Sequence, residues 1–246
     1  VVGMAAGNKV IEDVEGILES HRRFAIHDAG ETASVDVHNL LQEPLAAAIG
    51  AGLPVTEPTA SMIVDIGGGT TEIAVLALAG MVVSTSLRIA GDELDESIIN
   101  HLRRHHNLLI GEQSAEKIKL TIGSAWPMQQ ELMMVVKGRD SVTGLPRQAE
   151  VTSIEIREAL SHPVRLICEA VRGVLEEAPP EIAADLVDSG VTLCGGGALL
   201  HGIDKAISET LSIPARVAED PLTAVARGTG VFLDKLDVFS KVLSSD

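Results

Sequence analysis

The sequence predicts an α/β fold built on a mixed sheet, and three observations carry that prediction. Its apolar residues are mainly Val, Ile, Leu and Ala, with aromatics at 2% and no Tyr, a composition suited to strands buried beneath helices. Two short apolar runs, 61–66 and 191–194, each end on three consecutive glycines. Stretches with helical spacing lie between them. With 246 residues, 46% of them hydrophobic, the chain can bury one large core or two modest ones.

The elements follow in order. Residues 1–42 carry weak signals. Val10 to Phe24 has Ile11, Val14, Ile17 and Leu18 at helical spacing, and Val35 to Leu41 alternates as a strand could. Glu43-Pro44 opens a helix with Pro at its first position, and Gly50 and Gly52 end it. Prolines mark 54–60 as a loop. Strands are expected over Ser61 to Ile66, Thr71 to Leu78 and Met81 to Ile89, turning at Gly67-Gly68-Gly69 and at Ala79-Gly80. A helix runs from Gly91 to about His106. Beyond it, helical segments fall at 113–122, 153–160 and 163–177, around a small hairpin of Leu132 to Arg139 and Arg147 to Thr152. Val191 to Cys194 is a strand, Ala198 to Leu211 a helix, Pro214 to Ala218 a short strand, and Pro221 opens a last helix reaching Lys235.

Charge narrows the function classes. Thirty-five acidic against 19 basic residues give a net charge of −16, which repels nucleic acid and anionic lipid. No polybasic run offers a membrane patch. No apolar stretch is long enough for a spanning helix, and no signal peptide opens the chain. Cys168 and Cys194 lack CxxC partners, so reduced thiols fit better than a disulfide framework.

The strongest local motif is Asp65-Ile66-Gly67-Gly68-Gly69-Thr70-Thr71-Glu72. An apolar strand delivers an acid into a turn whose glycines let backbone N–H groups approach a phosphate. Asp65 would hold Mg²⁺ through water, because Mg²⁺ keeps much of its hydration shell, and Thr70 would add a hydroxyl near the terminal phosphate. The plain alternative is a glycine-rich hairpin. At Cys194-Gly195-Gly196-Gly197-Ala198-Leu199 a second strand meets glycines. That turn either places a helix start against a nucleoside or is merely tight. GxGxxG and GxxxxGK[ST] are both absent, so neither a Rossmann nor a P-loop reading is supported. His101 and His105 are spaced like a metal pair, but Leu102 stands where HExxH has its glutamate and two arginines oppose a cation. They read as a solvated helix face. Trp126 beside Pro127 reads as a packing residue, and Met133 to Val136 as a strand or an interface patch.

Two strand–glycine units flanking an insertion resemble the actin-like, ribonuclease H-like ATPase superfamily. More specifically, the chain resembles its MreB/Mbl branch in Glu43 to Val55, Asp65 to Glu72, Ala90 to Asp95, Asn107 to Glu112, Lys137 to Asp140, Thr143 to Pro146 and Glu219 to Gly230. The likeness covers about residues 40–246. It implies an ATP- and Mg²⁺-binding protein that polymerises with itself, works with the cell-wall elongation machinery to maintain rod shape, and lies in the cytoplasm at the inner face of the membrane. It implies a large subdomain of 53–112 with 188–220, an inserted one of 113–187, and two pieces of another lobe, 1–52 and 221–246. Residues 1–42 match loosely and no first phosphate loop is found there. An incomplete first lobe, weak ATP binding by this chain alone and indirect membrane association are therefore expected.

By the same resemblance Glu43 orients the attacking water and Thr70 is the second catalytic position. Asp65 serves the metal, and Gly67, Gly68 and Gly69 form the second phosphate loop. Glu116 and Lys119 contact adenosine, together with Gly196, Gly197, Ala198 and Leu199. The bland readings are an acidic helix start for Glu43 and a surface ion pair for Glu116 and Lys119. Gln42 and Cys194 depart from the family's usual Glu and Thr. Other functions compatible with the motifs are a non-hydrolysing interaction fragment and a sugar-kinase-like phosphotransferase, the second lacking room for a substrate domain.

Overall fold

The computed structural model describes residues 23–28, 31–36, 41–78, 80–235 and 239. Its first elements are β1 (Arg23–Asp28) and β2 (Glu31–Asp36), an antiparallel pair with Arg23 opposite Asp36. This ribbon corrects two expectations. Arg23 and Phe24 end no helix, and the strand near 35 begins earlier, at Glu31, and does not run to Leu41. The rest of the helix read over 10–24 lies outside the described residues.

Next come α1 (Glu43–Gly50), β3 (Ser61–Ile66), β4 (Thr71–Ala77), β5 (Gly80–Leu87) and α2 (Gly91–His106). They are followed by β6 (Leu108–Leu109), α3 (Glu112–Ile122), β7 (Met133–Asp140), β8 (Pro146–Thr152) and α4 (Ser153–Glu177). The chain continues with α5 (Pro180–Ser189), β9 (Val191–Cys194), a 3₁₀ turn (Gly196–Leu199), α6 (Ile203–Leu211), β10 (Ala215–Val217) and α7 (Ala224–Asp234).

Five strands form one mixed sheet in the order β10-β9-β3-β4-β5. The β10, β9 and β3 strands are mutually parallel, while β3, β4 and β5 run as an antiparallel meander. The β3 strand is buried at every residue, because both of its faces are covered. Met62, Val64 and Ile66 join a core with Leu94 and Ile98 of α2 and Ile156, Leu160 and Val171 of α4. Ile63 points the other way and meets Leu45, Ala47 and Ala48 of α1 and Ala224 and Phe232 of α7. A separate sheet, β6-β7-β8, buries Val136 and Val151 in the first of these cores. That core crosses the expected boundaries near 112 and 187 without a break.

Five further elements differ from the sequence reading. Pro163 does not divide 153–177 but lies inside the single helix α4 and is buried there. A proline costs the interior of a helix one hydrogen bond and some straightness, which the packing of α4 on β4, β5 and α6 offsets. The helix expected from Ala198 to Leu211 is broken at Gly202, which sits at φ 74°. There a Cβ would come within 2.5 Å of Trp126 Cβ, so the chain bends around the tryptophan before α6 begins. The last helix starts at Ala224 rather than Pro221. Helix α5 and the short β6 were not anticipated.

Helices α1 and α7 cross with their backbones in contact. A Cβ on Gly50 would lie 1.7 Å from Ala224 O, and one on Gly228 would lie 1.7 Å from Ala46 O. Arg227 adds a hydrogen bond of 2.7 Å to Gly50 O. Only hydrogen fits at these two positions. Gly228→Ala is therefore expected to lower stability by about 1–3 kcal/mol through overpacking. Gly230→Ala, in the same helix with open space around it, should raise stability by about 0.5–1 kcal/mol. Urea midpoints of the two variants check this, and equal effects would mean that the crossing is not tight.

Candidate functional site

The alternation of β3 places Asp65 on the same face as Ile63, toward α1. In register, Asp65 is beside Cys194 on β9 and opposite Glu72 on β4. Neighbours in register share a face, so a carboxylate, a thiol and a second carboxylate converge at the end of the strand. Glu43, the first residue of α1, adds a third carboxylate. Asp65 is only 6% exposed. Its carboxyl is pushed up to about 6, first by burial, then by the charge of Glu43 and to a lesser degree by Glu72, with the Cys194 thiol opposing the shift. Partial enclosure of the Glu43 carboxyl, then Glu72, raises Glu43 as well, although the residue as a whole is exposed. Burial and the neighbouring Asp65 keep the Cys194 thiol protonated.

Both glycine turns close on this strand end. Gly67 N donates to Thr70 O at 2.9 Å. The turn docks on the start of α2, where Gly91 N donates to Gly67 O at 3.1 Å and Asp92 N to Gly68 O at 2.8 Å. Gly68 and Gly69 are exposed, and Thr70 is half-buried beside them. From the other side, Gly195 sits at φ 80°, and a Cβ there would fall 2.3 Å from Asp65 Oδ1. A Cβ on Gly197 would fall 2.2 Å from Ile66 Cγ2. A residue with a side chain at either position would push the second turn away from Asp65 and Ile66. Gly196, Gly197, Ala198 and Leu199 form the 3₁₀ turn, with Ala198 buried and Leu199 half-exposed.

The structure thus brings Glu43, Asp65 and the two glycine turns to one end of the sheet. Lys119 and Leu199 stand farther along, lining a groove of about 450 Å³ with His201 and Lys205. Glu116 is exposed and does not pair with Lys119. Instead, Lys119 Nζ bonds Asp95 Oδ2 at 2.8 Å and Gly91 O at 3.1 Å, which removes the surface-pair reading. The histidine face is solvated at Arg103, Arg104 and His105 but engaged at His101 and His106. His101 Nε2 and His106 Nε2 both meet Glu155 Oε1, at 2.9 and 2.5 Å, tying the end of α2 to the first turn of α4.

Sequence reasoning gave no role to Glu72, Asp92 or Asp95. Glu72 was recoverable, since a tight turn after Ile66 puts it across from Asp65. The positions of Asp92 and Asp95 depend on how α2 meets the glycine turn, which no local signal reports.

A five-stranded mixed sheet between helical layers, with two glycine turns closing on one acidic strand end, is the architecture of the actin-like fold. MreB5 of Spiroplasma citri, solved bound to AMPPNP, superimposes with a TM-score of 0.78 at 38% identity, over 81% of this chain and 60% of that one. A MamK double helical filament superimposes with a TM-score of 0.65 at 25% identity, over 79% of this chain and 59% of that one. The family model for MreB/Mbl protein matches residues 9–241. The cell shape-determining protein MreB of Escherichia coli K12 is 49% identical over 231 residues, which are 94% of this chain and 66% of that protein. The chain belongs to the MreB/Mbl family. It spans about two thirds of the length of the curated relatives it matches.

The carboxylate cluster makes a prediction about the metal-free protein. Folding raises the Asp65 carboxyl from 3.8 to about 6, so the folded state binds a proton more readily than the unfolded one. Stability is then highest below about pH 4 for this group and falls as pH rises toward 6. Asp65→Asn should flatten that fall and leave the protein more stable at neutral pH, on the order of 2–3 kcal/mol at most. Urea titrations across the window read it out, and an unchanged pH slope in the variant would place the charge conflict elsewhere.

Proposed function

We propose that this chain is part of an ATP-binding, filament-forming, actin-like cytoskeletal protein that organises cell-wall synthesis and maintains rod shape. The observation that carries the reading is the meeting of two glycine turns with Asp65, Glu72 and Glu43 at the end of β3. The relatives add support, since MreB of Escherichia coli is named for cell shape and MreB5 was solved with AMPPNP. Self-association is the coarser expectation, in keeping with the MamK filament. Contact with the cell-wall elongation machinery and a place in the cytoplasm at the inner membrane face are the finer ones. No described helix is long and apolar enough to cross a membrane.

The donor set fits Mg²⁺. Burial first, then the charges of Glu43 and Glu72, raises Asp65, and no cation among the described residues opposes that shift. Among the described residues no group of three or more His, Cys, Asp or Glu could cage a metal directly. That suits Mg²⁺, which keeps its waters and takes only one or two carboxylates. Asp65 is the residue to hold it, through water. When bound, Mg²⁺ would supply charge neutralisation at the terminal phosphates.

The chain's own groups then have distinct tasks. Backbone N–H groups of Gly68 and Gly69 face the phosphates, while the Gly67 N–H closes the turn on Thr70 O and Thr70 offers a hydroxyl beside them. Glu43 orients water for in-line attack, and its raised carboxyl suits the role of accepting that water's proton. Gly196, Gly197, Ala198 and Leu199 form the nucleoside wall, with Lys119 and Glu116 across from it. Residues 53–112 with 188–220 serve as the large subdomain, and 113–187 as the insertion.

Calorimetry with Mg²⁺–ATP tests the reading. Asp65→Ala should weaken binding about tenfold or more in the presence of Mg²⁺ and little in its absence, with the fold intact by circular dichroism. Unchanged affinity sinks the metal assignment. Glu43→Gln should slow phosphate release while leaving affinity nearly unchanged. If affinity falls as far as rate, Glu43 is structural. Nucleotide-dependent sedimentation reports on filaments.

A further inference from the structure

The ammonium of Lys119 has an unusual setting. It crosses from α3 to the first turns of α2, where it bonds Asp95 Oδ2 at 2.8 Å and Gly91 O at 3.1 Å. Both side chains of the pair are 14% exposed. The same Gly91 donates its N–H to Gly67 O, and Asp92 N–H reaches Gly68 O. A continuous path of hydrogen bonds therefore runs from Lys119 through the start of α2 to the glycine turn.

Stability alone accounts poorly for Asp95. Its second oxygen, Oδ1, is buried with no hydrogen-bond partner among the described residues, and a buried unsatisfied carboxylate oxygen is costly. A buried ion pair is often no better for stability than an apolar pair of similar volume. The acids nearby, Asp92 and Glu116, add repulsion. What Asp95 does accomplish is geometric. It fixes a long, rotamer-rich lysine in one place, in the lining of a groove that Leu199 also lines.

We propose that Asp95 is a positioning residue for the nucleoside end of the site, holding the Lys119 ammonium against the α2 turn that carries the glycine loop. The proposal rests on the nucleotide reading above and assigns Asp95 a part in it. Asp95 acts through Lys119 and touches no phosphate. Removing its charge frees the lysine to sample other rotamers, so the loss falls on ligands that possess a nucleoside and spares those that are phosphate alone.

The test uses the chain as it stands, with Mg²⁺–ATP and Mg²⁺–tripolyphosphate as probes in calorimetry. Asp95→Asn keeps the shape and should weaken ATP about tenfold while leaving tripolyphosphate within about twofold. Lys119→Met should weaken ATP to a similar extent. The double variant should be no weaker than Lys119→Met alone, because the lysine is the route of the effect. Asp95→Glu, which restores the charge, should recover part of the ATP affinity. Thermal melts of each variant show whether the fold persists, and equal losses for both probes would mean a general structural role and overturn the proposal. Additive losses in the double variant, or wild-type ATP affinity in Asp95→Asn, would also overturn it. A wild-type chain that binds neither probe would sink the nucleotide reading and this one with it. A wild-type chain that binds both, beside an unaffected Asp95→Asn, sinks this one alone.

Discussion

Where α1 and α7 cross, Gly50 and Gly228 leave only hydrogen between two backbones. Much of the arrangement around the site depends on that contact. The close crossing lets two helices lie together on one face of the five-stranded sheet and seal the Ile63 side of β3. Sealing that side turns β3 from a half-exposed strand into one buried throughout. It also carries Glu43, the first residue of α1, to the strand end occupied by Asp65.

An acid at the end of a doubly covered strand is electrostatically poor on its own. Burial raises Asp65, and Glu43 and Glu72 raise it further, with a neutral thiol as the nearest mitigating group. Charges placed this way do not contribute to folding at neutral pH. They are tolerated because the rest of the strand buries Met62, Ile63, Val64 and Ile66 almost completely, each such side chain contributing about 1.5–3 kcal/mol. Under the proposed function a divalent cation would offset that conflict, and shifted carboxylates often cluster at functional sites.

Order in the glycine turn comes from the start of α2. Two backbone N–H groups that have no partner inside their own helix are given to Gly67 and Gly68 carbonyls. Lys119 and Asp95 then tie that helix start to α3, and the paired histidines tie the helix end to α4 through Glu155. The α2 helix is thereby fixed at both ends, by polar contacts on groups distant in sequence.

The sequence by itself determined the five strands of the main sheet, the β7–β8 hairpin, the two glycine turns and the acid, Asp65, that lies between those turns. These are local facts, written in short apolar runs and in residues that only certain turns accept. It also marked Glu43, Thr70 and the Gly196–Leu199 turn, through motif likeness rather than spacing. The tertiary structure alone decided that Glu43 and Cys194 share a face with Asp65, since that follows from the pairing of β9 with β3 and from a helix crossing set by Gly50 and Gly228. It decided that Lys119 pairs with Asp95 and not Glu116, because the preferred partner lies on another helix, 24 residues away. It kept α4 whole through Pro163 and broke the later helix at Gly202, where packing against the sheet in one case and against Trp126 in the other outweighed local propensity.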